Sequence, residues 1–144
     1  MTTRDQADKL LTALSGYMEA APLRLDERDA AFLEILDAVF AFAFSEESEE
    51  LAACAYIGIL PAGGRREEAL RALMEGNYAW AGTGGGILGL EADSGLVCLS
   101  QRFRPDRESA PGFIEKIARQ AGLAQYWRKR LEPEQTISAT AMRA

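Results

Sequence analysis

The sequence predicts an α+β fold: a single domain of order α-β-β-β-α-β-β-α, with a twisted antiparallel sheet and three helices. Three observations predict it. Phe40, Phe42 and Phe44 alternate with Val39, Ala41 and Ala43 at period two, as in a strand. Apolar residues recur at helical spacing near the start, the middle and the end of the chain. Between the last two helical stripes, Ile87 to Glu91 and Leu96 to Phe103 flank the polar loop Ala92-Asp93-Ser94-Gly95, a hairpin signal.

Thr3-Arg4-Asp5-Gln6 fits a capping box, with Gln6 three residues after the hydroxyl. Leu10, Leu11, Leu14, Tyr17 and Met18 then form an apolar stripe, and Pro22 stops the helix by disfavouring helical geometry in Ala21. Leu23-Arg24-Leu25-Asp26 alternates and reads as extended chain or loop. From Ala30 two strands follow, broken near Asp37. Ser45 to Glu50 is a charged, solvated turn. Leu51 to Leu60 is a third strand, ended by Pro61-Ala62-Gly63-Gly64.

The middle helix carries Leu70, Leu73, Met74, Asn77, Tyr78 and Ala81 at i, i+3, i+4, i+7, i+8 and i+11. Gly82, Gly84, Gly85 and Gly86 end it, because glycine is costly in a helix and permits positive φ. The hairpin comes next. Pro111 suits the first turn of a last helix, whose stripe is Phe113, Ile117, Ala121, Ala124, Trp127 and Leu131. Arg128, Lys129 and Arg130 fall at its carboxyl end, where cations suit the helix dipole. The domain is expected to span residues 1–131, with a mobile tail over 132–144. Three helices cannot cover both faces of a five-stranded sheet, so one face should remain available to a partner.

Composition narrows the function. The chain has 144 residues, enough for one domain with a real core. Its net charge of −6 repels phosphate backbones and disfavours anionic membranes. The longest apolar run, Ala38 to Phe44, is too short to span a bilayer, and MTTRDQADK is too polar for a secretory signal. A cytoplasmic protein is expected. Cys54 and Cys98 lie among apolar strand residues without a CxxC spacing, and read as buried free thiols.

Little in the chain suggests bond chemistry. There is no histidine, hence no usual neutral-pH base and no commonest metal ligand. Gly82-Thr83-Gly84-Gly85-Gly86 follows a helix and precedes a strand, the reverse of a phosphate-binding loop. A small enzyme using Asp26, Glu34 or Asp37 as a base would need two of them to converge, and nothing in the spacing brings them together. No catalytic residue, metal or cofactor is expected. Asn77 either satisfies local backbone groups or organises a helix–helix interface. The row Phe40, Phe42, Phe44 is either core or, if the helices cover only its edge, a docking groove.

The residues also carry a family resemblance. Ala69-Leu70-Arg71-Ala72-Leu73-Met74-Glu75-Gly76-Asn77 resembles the leucine-leucine-x-x-asparagine helix end of the class I chaperones of type III secretion, the Tir chaperone family. Gly85 to Leu90, Gly95 to Ser100 and the closing Tyr126-Trp127-Arg128-Lys129-Arg130-Leu131 are similar too, so the likeness covers about residues 8 to 131. Met74, Gly76 and the glycine-rich loop depart from it. The resemblance implies a non-enzymatic, secretion-chaperone-like homodimer. It implies binding of the N-terminal segment of a secreted effector in extended form, which keeps the effector soluble and competent for secretion. Leu23, Leu25, Phe32, Phe40 and Phe42 are the expected effector-binding residues. Leu70, Leu73, Asn77, Tyr78, Trp80, Ile87 and Leu88 are the expected dimer interface. The competing expectation is an adaptor of the same fold, resembling the YbjN group, that binds a folded partner.

Overall fold

The computed structural model describes residues 1–132. Helix α1 is Thr3–Tyr17, and strands β1 (Ala30–Ile35), β2 (Ala38–Ser45) and β3 (Glu50–Ile59) follow. Helix α2 is Arg66–Asn77, strands β4 (Ile87–Leu90) and β5 (Leu96–Phe103) form the hairpin, and α3 is Ala110–Leu131. The expected element order is therefore present. The expectation for the tail lies, from residue 133 on, outside the described residues.

The strands form one antiparallel sheet of order β1-β2-β3-β5-β4. β1 and β2 join through Leu36 and Asp37, both at positive φ (51° and 67°), the two-residue turn that suits the strand twist. Arg128 Nη2 on α3 donates to Asp37 O at 2.6 Å and holds that turn against the helix.

Period two decides which face is core. Phe40, Phe42, Phe44, Leu51, Ala53, Ala55, Leu99 and Phe103 point one way and are buried. α3 lies on them with Phe113, Ile117, Ala121 and Ala124, all fully buried, and α1 packs beside α3 with Leu10, Leu11 and Leu14. Gln120 brings a polar side chain into this layer. Gln120 is 3 % exposed, and its Nε2 donates to Ala53 O and Leu99 O, both at 2.9 Å, so it ties α3 to β3 and β5 together.

Two local expectations are corrected. The cap of α1 is Thr2, not Thr3: Thr2 Oγ1 accepts from Asp5 N while Asp5 Oδ2 accepts from Thr2 N, both at 3.0 Å. A carboxylate one residue earlier than Gln6 closes the reciprocal pair, and it also suits the positive helix end. The cysteines are not buried. Both point to the face opposite the core and are half-exposed. Their apolar neighbours in sequence point to the other side, as strand alternation requires.

Candidate functional site: an open sheet face and two different edges

The face away from the helices is built mainly from small residues, with Tyr56 of β3 standing among them opposite Cys98. Ala41 and Ala43 on β2, Ala52 and Cys54 on β3, Cys98 and Ser100 on β5, and Gly89 on β4 form its floor. Larger apolar side chains stand around them: Phe32 is 58 % exposed, Val39 42 % and Ile87 62 %. Glu34 on β1 and Arg102 on β5 are charged residues near its margins, and Arg102 pairs with Glu50 at 3.2 Å. This alanine row, rather than the phenylalanine row, is the accessible one.

The two edges of the sheet differ. At the β4 edge, Asn77 ends α2 and turns its amide onto the strand. Leu88 N donates to Asn77 Oδ1 at 2.9 Å, and Asn77 Nδ2 donates to Leu88 O at 3.0 Å. The side chain takes the place of a neighbouring strand there and blunts the edge. At the other end of the sheet, β1 pairs only with β2. Its far side has no strand partner among the described residues; Ala30 N and O are taken by Asp26, and the peptide groups after Ala30 are left for an added strand.

Helix α2 has two apolar faces. Of the stripe expected from the sequence, Leu73 is buried, Leu70 is half-buried, and Met74 and Tyr78 are exposed. Ala69, Ala72, Leu73 and Gly76 face the protein, a stripe of mostly small residues that lets the helix approach closely. Gly76 and Gly82 both lie against the Trp127 ring: a Cβ at Gly76 would sit 2.4 Å from Trp127 Cζ2, and one at Gly82 2.9 Å from it. Trp127 Nε1 donates to Gly82 O at 2.8 Å. The glycines that depart from the resembled helix motif are thus a slot for one indole.

The outer face of α2 is left with Met74 at 75 % and Tyr78 at 79 % exposed, over a shallow depression of about 500 Å³ lined also by Leu70 and Arg71. Past the helix, Ala79 and Trp80 both take positive φ (50° and 59°). Left-handed backbone at two successive non-glycine residues is strained. Trp80 is 63 % exposed.

The expected site residues separate accordingly. Phe32 is exposed. Phe40 and Phe42 are 0 % and 1 % exposed, so they belong to the core, because α3 covers their whole face. Leu25 is buried as well. The segment before β1 is strapped along α1: Asp8 Oδ1 accepts from Leu25 N at 2.8 Å, and Ser15 Oγ from Leu23 N at 3.1 Å. Leu23 is partly buried against the core by this strap. Among the expected dimer residues, Leu73 and Leu88 are core residues of the single chain, Asn77 is engaged with Leu88, and Leu70 is half-buried. Tyr78, Trp80 and Ile87 are exposed and lie on the outer surface.

Asp26, one of the carboxylates singled out as bases, is held by backbone amides. Asp26 Oδ1 accepts from Arg28 N at 2.8 Å and Ala30 N at 3.0 Å, and these amides hold its carboxyl below the usual range, the opposite of what a neutral-pH base needs. No helix among the described residues is long and apolar enough to cross a membrane.

Sequence reasoning missed the small-residue face of α2, Gln120 and the indole slot. One signal was present: a glycine inside a helical pattern costs stability and usually has a packing reason.

No curated protein sequence matches the chain. Among solved structures, the ExsC–ExsE complex contains a chain that superposes with a TM-score of 0.79 at 20 % identity, covering 94 % of this chain and 100 % of that one. The HopA1–SchA chaperone–effector complex gives 0.66 at 18 % identity, with 90 % and 94 % covered. The heterodimeric ExoU–SpcU complex from the type III secretion system of Pseudomonas aeruginosa gives 0.64 at 16 % identity, with 88 % and 98 % covered. At these identities the likeness is one of fold. The sequence itself matches the Tir chaperone protein (CesT) family over residues 9–128, and the chain belongs to that family.

Proposed function

We propose that this protein is a type III secretion chaperone that binds the N-terminal segment of a secreted effector in extended form and keeps it soluble. The observation that carries this reading is the uncovered sheet face with its free β1 edge: small residues as a floor, Phe32 and Val39 standing exposed, and all three helices on the other side or at the far edge. An extended segment gains main-chain hydrogen bonds from such an edge and side-chain burial from such a face. One solved neighbour of the same fold is described as a chaperone–effector complex and another as a heterodimer from a type III secretion system, which supports the same kind of partner here. The role needs no bond chemistry, and a non-enzymatic function is part of the proposal.

The functional unit we propose is a homodimer joined through the outer face of α2. Met74, Tyr78, Trp80 and Ile87 give that surface its apolar character, and Asn77 keeps α2 and β4 in one rigid piece beneath it. The net charge of −6 keeps such a complex soluble.

Co-expression with a candidate effector tests the proposal. The effector should co-purify, and limited proteolysis should leave only a segment near its N-terminus protected. Deleting that segment should abolish the complex. Binding that survives the deletion, with a compact domain protected instead, would replace this reading with that of an adaptor for a folded partner.

A further inference from the structure

The two cysteines stand together on the open face, where buried inert thiols were expected. Cys54 lies directly opposite Ser100, and Cys98 directly opposite Tyr56. The cysteines are therefore diagonal neighbours on adjacent strands, pointing to the same side. Their outer flanks are bare: Ala41 on β2 faces Cys54, and Gly89 on β4 faces Cys98. Both thiols are half-buried and unbridged.

We propose that Cys54 and Cys98 are an oxidative modification site, in which a hydroperoxide converts the two thiols into a cross-strand disulfide that is strained and hence readily reduced. The register carries the argument. Diagonal Cα atoms on an antiparallel sheet are typically about 7–8 Å apart. A relaxed disulfide wants them within about 6.8 Å. The bond therefore forms only with a shear of β3 against β5, next to the irregularity that the ladder already has between Tyr56 and Gly58. Strained and exposed disulfides are the labile ones, whereas structural disulfides resist the glutathione pool.

The chemistry balances with a hydroperoxide as the oxidant. The Cys54 thiolate attacks the terminal peroxide oxygen; the O–O bond breaks, an S–O bond forms, and the alkoxide takes a proton to leave as an alcohol. Cys98 then attacks the sulfenic sulfur, the S–S bond forms, and hydroxide leaves with the Cys98 proton as water. The two thiols lose two electrons and the peroxide gains them. The pairing of the two thiols supports the first step: the first proton leaves the pair below the ordinary thiol range, at Cys54, and the second is held above it.

This inference is independent of the chaperone reading. Its test uses the full chain, reduced and then exposed to hydrogen peroxide. Titratable thiols should fall from two per chain to none, the intact mass should drop by two hydrogens, and peptide mapping should join Cys54 to Cys98. Millimolar glutathione should restore both thiols. Cys54→Ser and Cys98→Ser should each lose the intramolecular product and give sulfinate or chain-to-chain disulfide instead, with circular dichroism showing that both variants fold. Thiols that survive peroxide, bridges only between chains in the unmodified sequence, or a bridge that glutathione leaves intact would each overturn the proposal.

Discussion

The Asn77 side chain pairs with the Leu88 backbone through both of its polar atoms, at 2.9 and 3.0 Å, so one amide does the work of a neighbouring strand. Asn77→Leu removes both bonds and leaves the Leu88 N–H and C=O without protein partners. The expected cost is about 1–3 kcal/mol. Asn77→Asp should cost more, since it keeps the acceptor for Leu88 N but sets a carboxylate oxygen against Leu88 O. Urea unfolding of the three chains gives that order or refutes the clamp.

Gly76 is required by the Trp127 ring. Gly76→Ala should destabilise by about 1–3 kcal/mol through overpacking, despite alanine's better helix propensity. The double variant Gly76→Ala with Trp127→Phe should recover part of that loss, because the smaller ring vacates the slot. Equal losses in the two Gly76→Ala backgrounds, measured by thermal unfolding, would show that the ring is not the cause.

The two faces of the sheet should respond oppositely to polar substitution. Phe42→Ser buries a hydroxyl and opens a cavity, at a cost of about 3–5 kcal/mol or more, enough to unfold a marginal domain. Phe32→Ser should leave circular dichroism and the unfolding midpoint within about 0.5 kcal/mol of the parent. If β1 receives the partner, Phe32→Ser weakens partner binding about tenfold, the worth of about 1.4 kcal/mol. Calorimetric titration with the effector segment checks this, and an unchanged affinity would remove Phe32 from the site.

Helix α2 offers a parallel contrast. Tyr78→Asp and Met74→Asp should yield folded monomers by light scattering, because a carboxylate in an apolar interface is costly and at this surface of the free chain is not. Leu73→Asp should unfold the chain instead, since Leu73 is 7 % exposed within the single domain. Folded dimers of both outer variants would place the dimer contact elsewhere.

Asp26 supplies a pH signature. Its carboxyl is lowered by the Ala30 and Arg28 amides, so its contribution is fully present above the unfolded value of about 3.9 and fades as pH falls through the lowered folded value. Asp26→Asn should be less stable than the parent at pH 7, and the difference should shrink toward zero as the pH is taken below the lowered folded value. Paired denaturation curves at the two pH values measure it; a difference independent of pH would rule out the carboxylate as its source.

Sequence by itself determined the element order, the one-domain architecture and the existence of a spare sheet face. These follow from periodicity, glycine and proline punctuation, and the arithmetic of three helices against five strands, all local or countable quantities. It also held the family likeness, because the spacing of the α2 end and the two strands after it survives in the linear chain. Tertiary structure alone decided which face was spare. Phe40 and Ala41 alternate in either assignment, and only the placement of α3 over the phenylalanines exposes the alanines. It alone decided which stripe of α2 turns inward, since Trp127, fifty-one residues after Gly76, selects the glycine side over the larger Leu70 and Met74 side. And it alone brought Asn77 to Leu88 and Cys54 beside Cys98. Such pairings depend on strand register and helix docking, long-range relations that no local pattern encodes.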